Sequence, residues 1–161
     1  MTPGMNPPRR VITGLDAQGR SCVLIDGPAN RVIWSTAETP ADNTSTQDEG
    51  GGTFRFPASG TLFVFADFPP GDGSPMHATD TIDYIVVVAG EIVFVTETGE
   101  TLLRAGDVLV DRGNMHAWRN DGDKPCRIMN VLSPARPAGK GATVSGEVDI
   151  ASKVQPSGAL K

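Results

Sequence analysis

Residues 71–90 read GDGSPMHATDTIDYIVVVAG, and residues 106–120 read GDVLVDRGNMHAWRN. In the first stretch Gly71 is followed after five residues by His77, after one more by Thr79, after three by Asp83 and after six by Gly90. In the second, six residues separate Gly106 from Gly113, two separate Gly113 from His116 and three separate His116 from Asn120. The chain has only two histidines, one in each of these glycine-punctuated stretches. Side chains alternate between the faces of a strand, so residues 77, 79 and 83 share a face if the strand is unbroken, and Ile85 and Val87 continue that face as an apolar wall. A turn around 79–81 would break this register. His116 and Trp118 share a face of their own strand in the same way.

Outward from these stretches the chain reads as short strands divided by turns. Residues 83–89 and 91–96 pair back across Gly90, and Thr98-Gly99 turns the chain before residues 100–103. Residues 107–110, 117–120 and 127–132 follow, with Gly113 and Asp121-Gly122 as turns. Upstream, residues 61–66 form a strand stopped by Pro69-Pro70-Gly71. Residues 10–13 and 21–25 form a hairpin around 16–19, and residues 31–34 add another strand. Residues 37–52 are polar, end in three glycines and read as a long loop. Strands recurring at this spacing predict an all-β sandwich or barrel. The expected organisation is a flexible arm over 1–9, N-terminal strands and loop over 10–59, a barrel core over 60–135 and a tail over 136–161, in which 148–154 would form a weak helix or a terminal strand.

The bulk properties narrow the function. A length of 161 residues fits one domain, and the net charge of −5 gives no basis for nucleic-acid binding. No stretch approaches the ~18 apolar residues that a membrane helix needs. The basic first residues lead into no apolar segment, so the expected location is cytoplasmic. Cys22 and Cys126 are read as reduced core thiols.

The two glycine–histidine stretches resemble the two motifs of the cupin family. Those motifs carry glycine, His-x-His, glutamate and glycine in the first, and glycine, a proline-glycine turn, histidine and asparagine in the second. The resemblance spans residues 60–134, just under half the chain, and within the family it is narrowest to small single-domain bacterial and fungal cupins. It implies a double-stranded β-helix, or jelly-roll barrel, with extra N-terminal strands. It also implies one divalent metal, iron, zinc, manganese or nickel, held at the matching positions His77, Asp83 and His116. Three departures stand out. Thr79 replaces the second histidine, Asp83 is one methylene shorter than the glutamate, and the second turn is one residue tighter with Asp111 near the usual proline. A neutral hydroxyl such as that of Thr79 is a weak ligand. Two imidazoles and a carboxylate match the ligand set of non-haem iron(II), or of zinc with water completing the sphere.

The function expected from this resemblance is binding of a small organic molecule in a barrel pocket by a metal-dependent enzyme of dioxygenase, isomerase, dehydratase or decarboxylase type. His77, Asp83 and His116 are its expected catalytic residues, and Thr79, Trp118, Arg112, Met76 and Phe65 its pocket. Phe63 and Met129 are expected in the core. Without metal, Asp83 between two imidazoles becomes an acid–base cluster, and a non-catalytic metabolite-binding module is the third reading. Small cupins pair through N-terminal strands, so a homodimer is expected.

Overall fold

A computed structural model describes residues 5–144. Among them are eleven strands and no helix: β1 (Arg9–Leu15), β2 (Ser21–Pro28), β3 (Val32–Thr36), β4 (Thr61–Phe68), β5 (Gly73–His77), β6 (Thr81–Ala89), β7 (Glu91–Thr96), β8 (Gly99–Arg104), β9 (Val108–Asp111), β10 (His116–Arg119) and β11 (Cys126–Pro134). Residues 148–154 lie outside the described residues. No helix among the described residues is long and apolar enough to cross a membrane.

Two sheets form a jelly roll of antiparallel strands. One has the order β5-β10-β7-β8 and the other β3-β4-β11-β6-β9, while β1 and β2 make a separate hairpin. Alternation sets which residues go inside. In β6, Thr81, Asp83, Ile85 and Val87 are buried while Tyr84, Val86 and Val88 are exposed. Phe68, Ile85, Val87, Ile92, Phe94, Leu103, Trp118, Cys126 and Ile128 fill the space between the sheets. A second cluster of Val32, Phe54, Leu62, Val64 and Leu132 closes one end. At roughly 25 cal/mol per Å² of apolar surface removed from water, such clusters supply the main drive to fold. Phe63, expected in the core, is 36% exposed because Leu62 and Val64 hold the inward parity on either side of it.

The strand that carries His77 was not expected. β5 contains Pro75 and no β-branched residue, and it sits at a sheet edge where a missing N–H costs no ladder bond. Residues 5–8, placed in the expected arm, are tied down: Ala29 N donates to Pro8 O at 2.8 Å and Arg127 Nη1 to Asn6 O at 2.7 Å. Residues 37–52 form no strand but are anchored, with Gly51 N donating to Val32 O at 2.8 Å and Arg10 paired to Asp48. Past β11 the chain returns to the β5–β6 turn, where Ala78 N donates to Thr143 Oγ1 at 2.9 Å and Thr143 N to Ala78 O at 3.1 Å.

Candidate active site

Register builds the site. His77 at the end of β5 lies directly opposite His116 at the start of β10. The two imidazoles stand 4.3 Å apart between centroids. In the other sheet Asp83 on β6 lies directly opposite Asp111 on β9, so both carboxyl groups face inward from neighbouring strands. Two tight turns bring these pairs together. Gly113 adopts φ +74°, and a Cβ there would lie 2.2 Å from the Thr79 carbonyl oxygen, so only glycine lets the two turns touch.

Each histidine is fixed through Nδ1. His77 Nδ1 lies 2.8 Å from Pro75 O, and His116 Nδ1 lies 2.8 Å from Asn114 O. A carbonyl can only accept, so each Nδ1 carries the proton and donates it. Asp111 Oδ2 also approaches His116 Nδ1, at 3.0 Å, with both side chains almost fully buried. Asp111 Oδ2 has no well-aligned donor among the described residues, because the Nδ1–H is directed mainly at the carbonyl. Asp111 acts on the ring through this close approach first and through its charge second. Burial pulls the His116 pKa down, but Asp111, the Asn114 carbonyl and Asp83 together outweigh it and leave the imidazolium favoured beyond its ordinary range.

Asp83 is 6% exposed. Its Oδ1 accepts from Thr81 Oγ1 at 2.6 Å and its Oδ2 from Asn130 Nδ2 at 2.8 Å. Burial is the largest influence and raises its pKa. The two donors and His116 work against this, the charge of Asp111 adds to it, and the balance stays raised. A carboxylate with a raised pKa is a stronger base than an ordinary one. Thr79 is held by the hydroxyl of Thr81 at 3.0 Å.

These groups line a cavity of about 440 Å³ between the sheets. His77, Thr79, Asp83, His116, Trp118 and Phe65 all face it, as expected from the sequence. Met76 and Arg112 do not line it. Arg112 follows the inward-facing Asp111 and so takes the opposite, exposed face, and Met76 precedes His77 with the same inversion. The expected metal set, His77, Asp83 and His116, is not drawn together as a three-ligand cluster among the described residues. Among the described residues no three His, Cys, Asp or Glu side chains come together closely enough to hold one ion. Both Asp83 oxygens are engaged by Thr81 and Asn130, which turns the shortened carboxylate toward its own sheet. Three contributors were missed from the sequence: Asp111, Asn130 and Arg31. Asp111 had a signal, since it stands five residues before His116 at a turn where the family's proline is absent. Asn130 and Arg31 had none, because only the sheet order brings them to the cavity.

Comparison with known proteins agrees with this architecture. A family model described as a cupin domain matches residues 64–132. The chain is 34% identical over 166 residues to the cupin-domain-containing oxidoreductase srdD of Neurospora crassa, covering 89% of this chain and 85% of that protein. It is 32% identical over 155 residues to the cupin-domain-containing oxidoreductase virC of Hypocrea virens, covering 84% and 80%. A solved structure from Klebsiella pneumoniae, titled an uncharacterized conserved protein with a double-stranded beta-helix domain, aligns with a TM-score of 0.44 and 23% identity over 55% of this chain and 76% of that one. Two independent features thus converge, the interleaved sheets around an internal histidine–carboxylate site and the similarity along most of the sequence: the chain belongs to the cupin family.

Proposed function

We propose that this cupin catalyses proton transfer on a small, enolisable carbonyl compound, with Asp83 as base and His116 as acid. The observation that carries the reading is the pairing of a buried carboxylate of raised pKa with an imidazolium favoured by Asp111 in the same apolar cavity. Environments that tune two titratable groups in this way are a signature of acid–base sites. The apolar body of the substrate would rest on Phe68, Trp118 and Ile128. Asp83 takes a proton from the carbon next to the carbonyl. His116, with Nδ1–H held by the Asn114 carbonyl, gives the Nε2 proton to the carbonyl oxygen. The product of this step is an enol, and both groups have exchanged one proton. Return of the proton to another carbon gives isomerisation, and departure of a β-hydroxyl as water, with the proton from Asp83 while the enol proton returns to His116, gives dehydration. His77, its Nδ1 donating to Pro75 O, lines the cavity beside His116.

The test is deuterium exchange. Protein in D₂O is offered a panel of small ketones and 2-oxo acids, and loss of the α-proton signal is followed by NMR. The wild type should accelerate exchange, and Asp83→Asn and His116→Gln should each reduce the acceleration by about 10²–10⁴-fold. Chelator and added iron(II), zinc, manganese or nickel should leave the wild-type rate unchanged. Exchange that appears only on adding one of these ions would restore the metal-dependent reading, and saturable binding without exchange would favour a metabolite-binding module.

A further inference from the structure

Arg31 stands immediately before β3 on the segment that leads into the barrel. Its backbone is pinned, with Phe65 N donating to Arg31 O at 3.2 Å. Its guanidinium lies 5.5 Å over the ring of Phe54. Phe54 is buried and meets Phe56 edge-to-face at 5.2 Å between centroids. Arg31, Phe54 and Phe56 line the same cavity as His77, Asp83 and His116.

Among the described residues no carboxylate pairs with this arginine. Arg9, Arg10, Arg20, Arg104, Arg119 and Arg127 each have a carboxylate partner. Arg127, whose guanidinium lies 4.8 Å over Phe65, is engaged by Asp67 on the cavity wall. Among the described residues Arg31 makes no hydrogen bond and no ion pair through its side chain. The cavity's other acid away from the reacting groups, Asp72, turns Oδ1 to Gly73 N at 2.8 Å. The cavity therefore carries histidine and carboxylate groups, apolar walls and one arginine whose donors are unused among the described residues.

We propose that Arg31 is the specificity-determining residue of the site and that it selects substrates bearing a carboxylate. Stacking on Phe54 holds the planar fork in place, so little side-chain freedom is lost when it takes both oxygens of a carboxylate. The substrate class is a small organic acid with an unsaturated or aromatic body. Its carboxylate pairs with Arg31, its body lies on Phe54 and Trp118, and its enolisable carbon reaches Asp83. This inference rests on the proton-transfer reading for the reacting end but concerns the opposite end of the ligand.

Binding without turnover tests it. Benzoate and cinnamate are each compared with their neutral isosteres, benzamide and cinnamamide, by NMR titration of the Trp118 indole. The wild type should bind at least one acid tenfold or more tightly than its amide. Arg31→Gln should abolish that preference while leaving amide affinity unchanged, and Arg31→Lys should retain part of it. His116→Gln should keep the preference, which separates Arg31 from attraction by the imidazolium. If no acid outbinds its amide, or the preference survives Arg31→Gln, the assignment falls. Because the readout is affinity, deuterium exchange can fail without touching this result, and the reverse also holds.

Discussion

At the scale of single residues, Asp111 is the side chain whose removal says most. It is 2% exposed and faces both His116 and Asp83. Its negative charge favours the imidazolium of His116 and disfavours the carboxylate of Asp83, so it raises both pKa values. Asp111→Asn keeps the shape and removes the charge. Both groups should then titrate at lower pH. In a reaction that needs Asp83 ionised and His116 protonated, both limbs of the bell-shaped profile should move toward acid. With only two histidines in the chain, an imidazole NMR titration of the variant reads the His116 part directly. An unmoved midpoint would remove Asp111 from this role. The placement of His77, Asp83 and His116 in one pocket was legible from the resemblance of their glycine–histidine spacing to the two cupin motifs, with strand alternation in support. Asp111 was visible as a departure in the second motif, but its influence on Asp83 was not, since that depends on β9 lying beside β6. The expectation that Arg112 lines the pocket failed for the same reason. Nearness in sequence to His116 put it one residue out of phase with the inward face.

At the scale of elements, the β1–β2 hairpin pairs with neither barrel sheet and exposes Val11, Leu15, Val23 and Leu24. An isolated two-stranded sheet is marginal in water unless something packs on it. The homodimer expected from the N-terminal strands is accordingly our proposal for how this apolar face is covered. Light scattering should give twice the monomer mass, and Val23→Lys with Leu15→Lys should return the monomer. A wild-type monomer at high concentration would end the idea. Most strands were readable because β-branched runs and glycine turns mark them. β5 was not, because its residues Ser74, Pro75 and Met76 lack strand propensity and its place at an edge is decided by pairing with β10.

For the whole molecule, the site sets how stability varies with pH. His116 has a raised pKa in the folded state, so its contribution is fully present below the unfolded value near ~6.5 and is lost as pH rises through the folded value. Asp83 is raised as well, so folding favours its protonated form and its effect has the same sign, with stability falling as pH climbs through its folded pKa. The carboxylates held low by their partners, Asp16, Asp26, Asp42 and Asp48, act oppositely and only below about pH 4. Thermal melts should therefore give a higher Tm near pH 5.5 than near pH 8.5. His116→Gln should flatten that difference, and a wild-type Tm that rises toward pH 8.5 would contradict the sign.

The cavity wall is drawn from two separate stretches of the gene product. Residues 64–132 match the family and include His77, Asp83, Asp111 and His116, whereas Arg31, Phe54 and Phe56 come from chain that precedes that match. On the proposed reading, reaction and recognition are thus written in different passages of one sequence. Mutation or recombination upstream can retune what enters the barrel while the proton-handling groups stay as they are. A scaffold divided in this way can diversify its clientele by editing a preface and leaving the main text untouched.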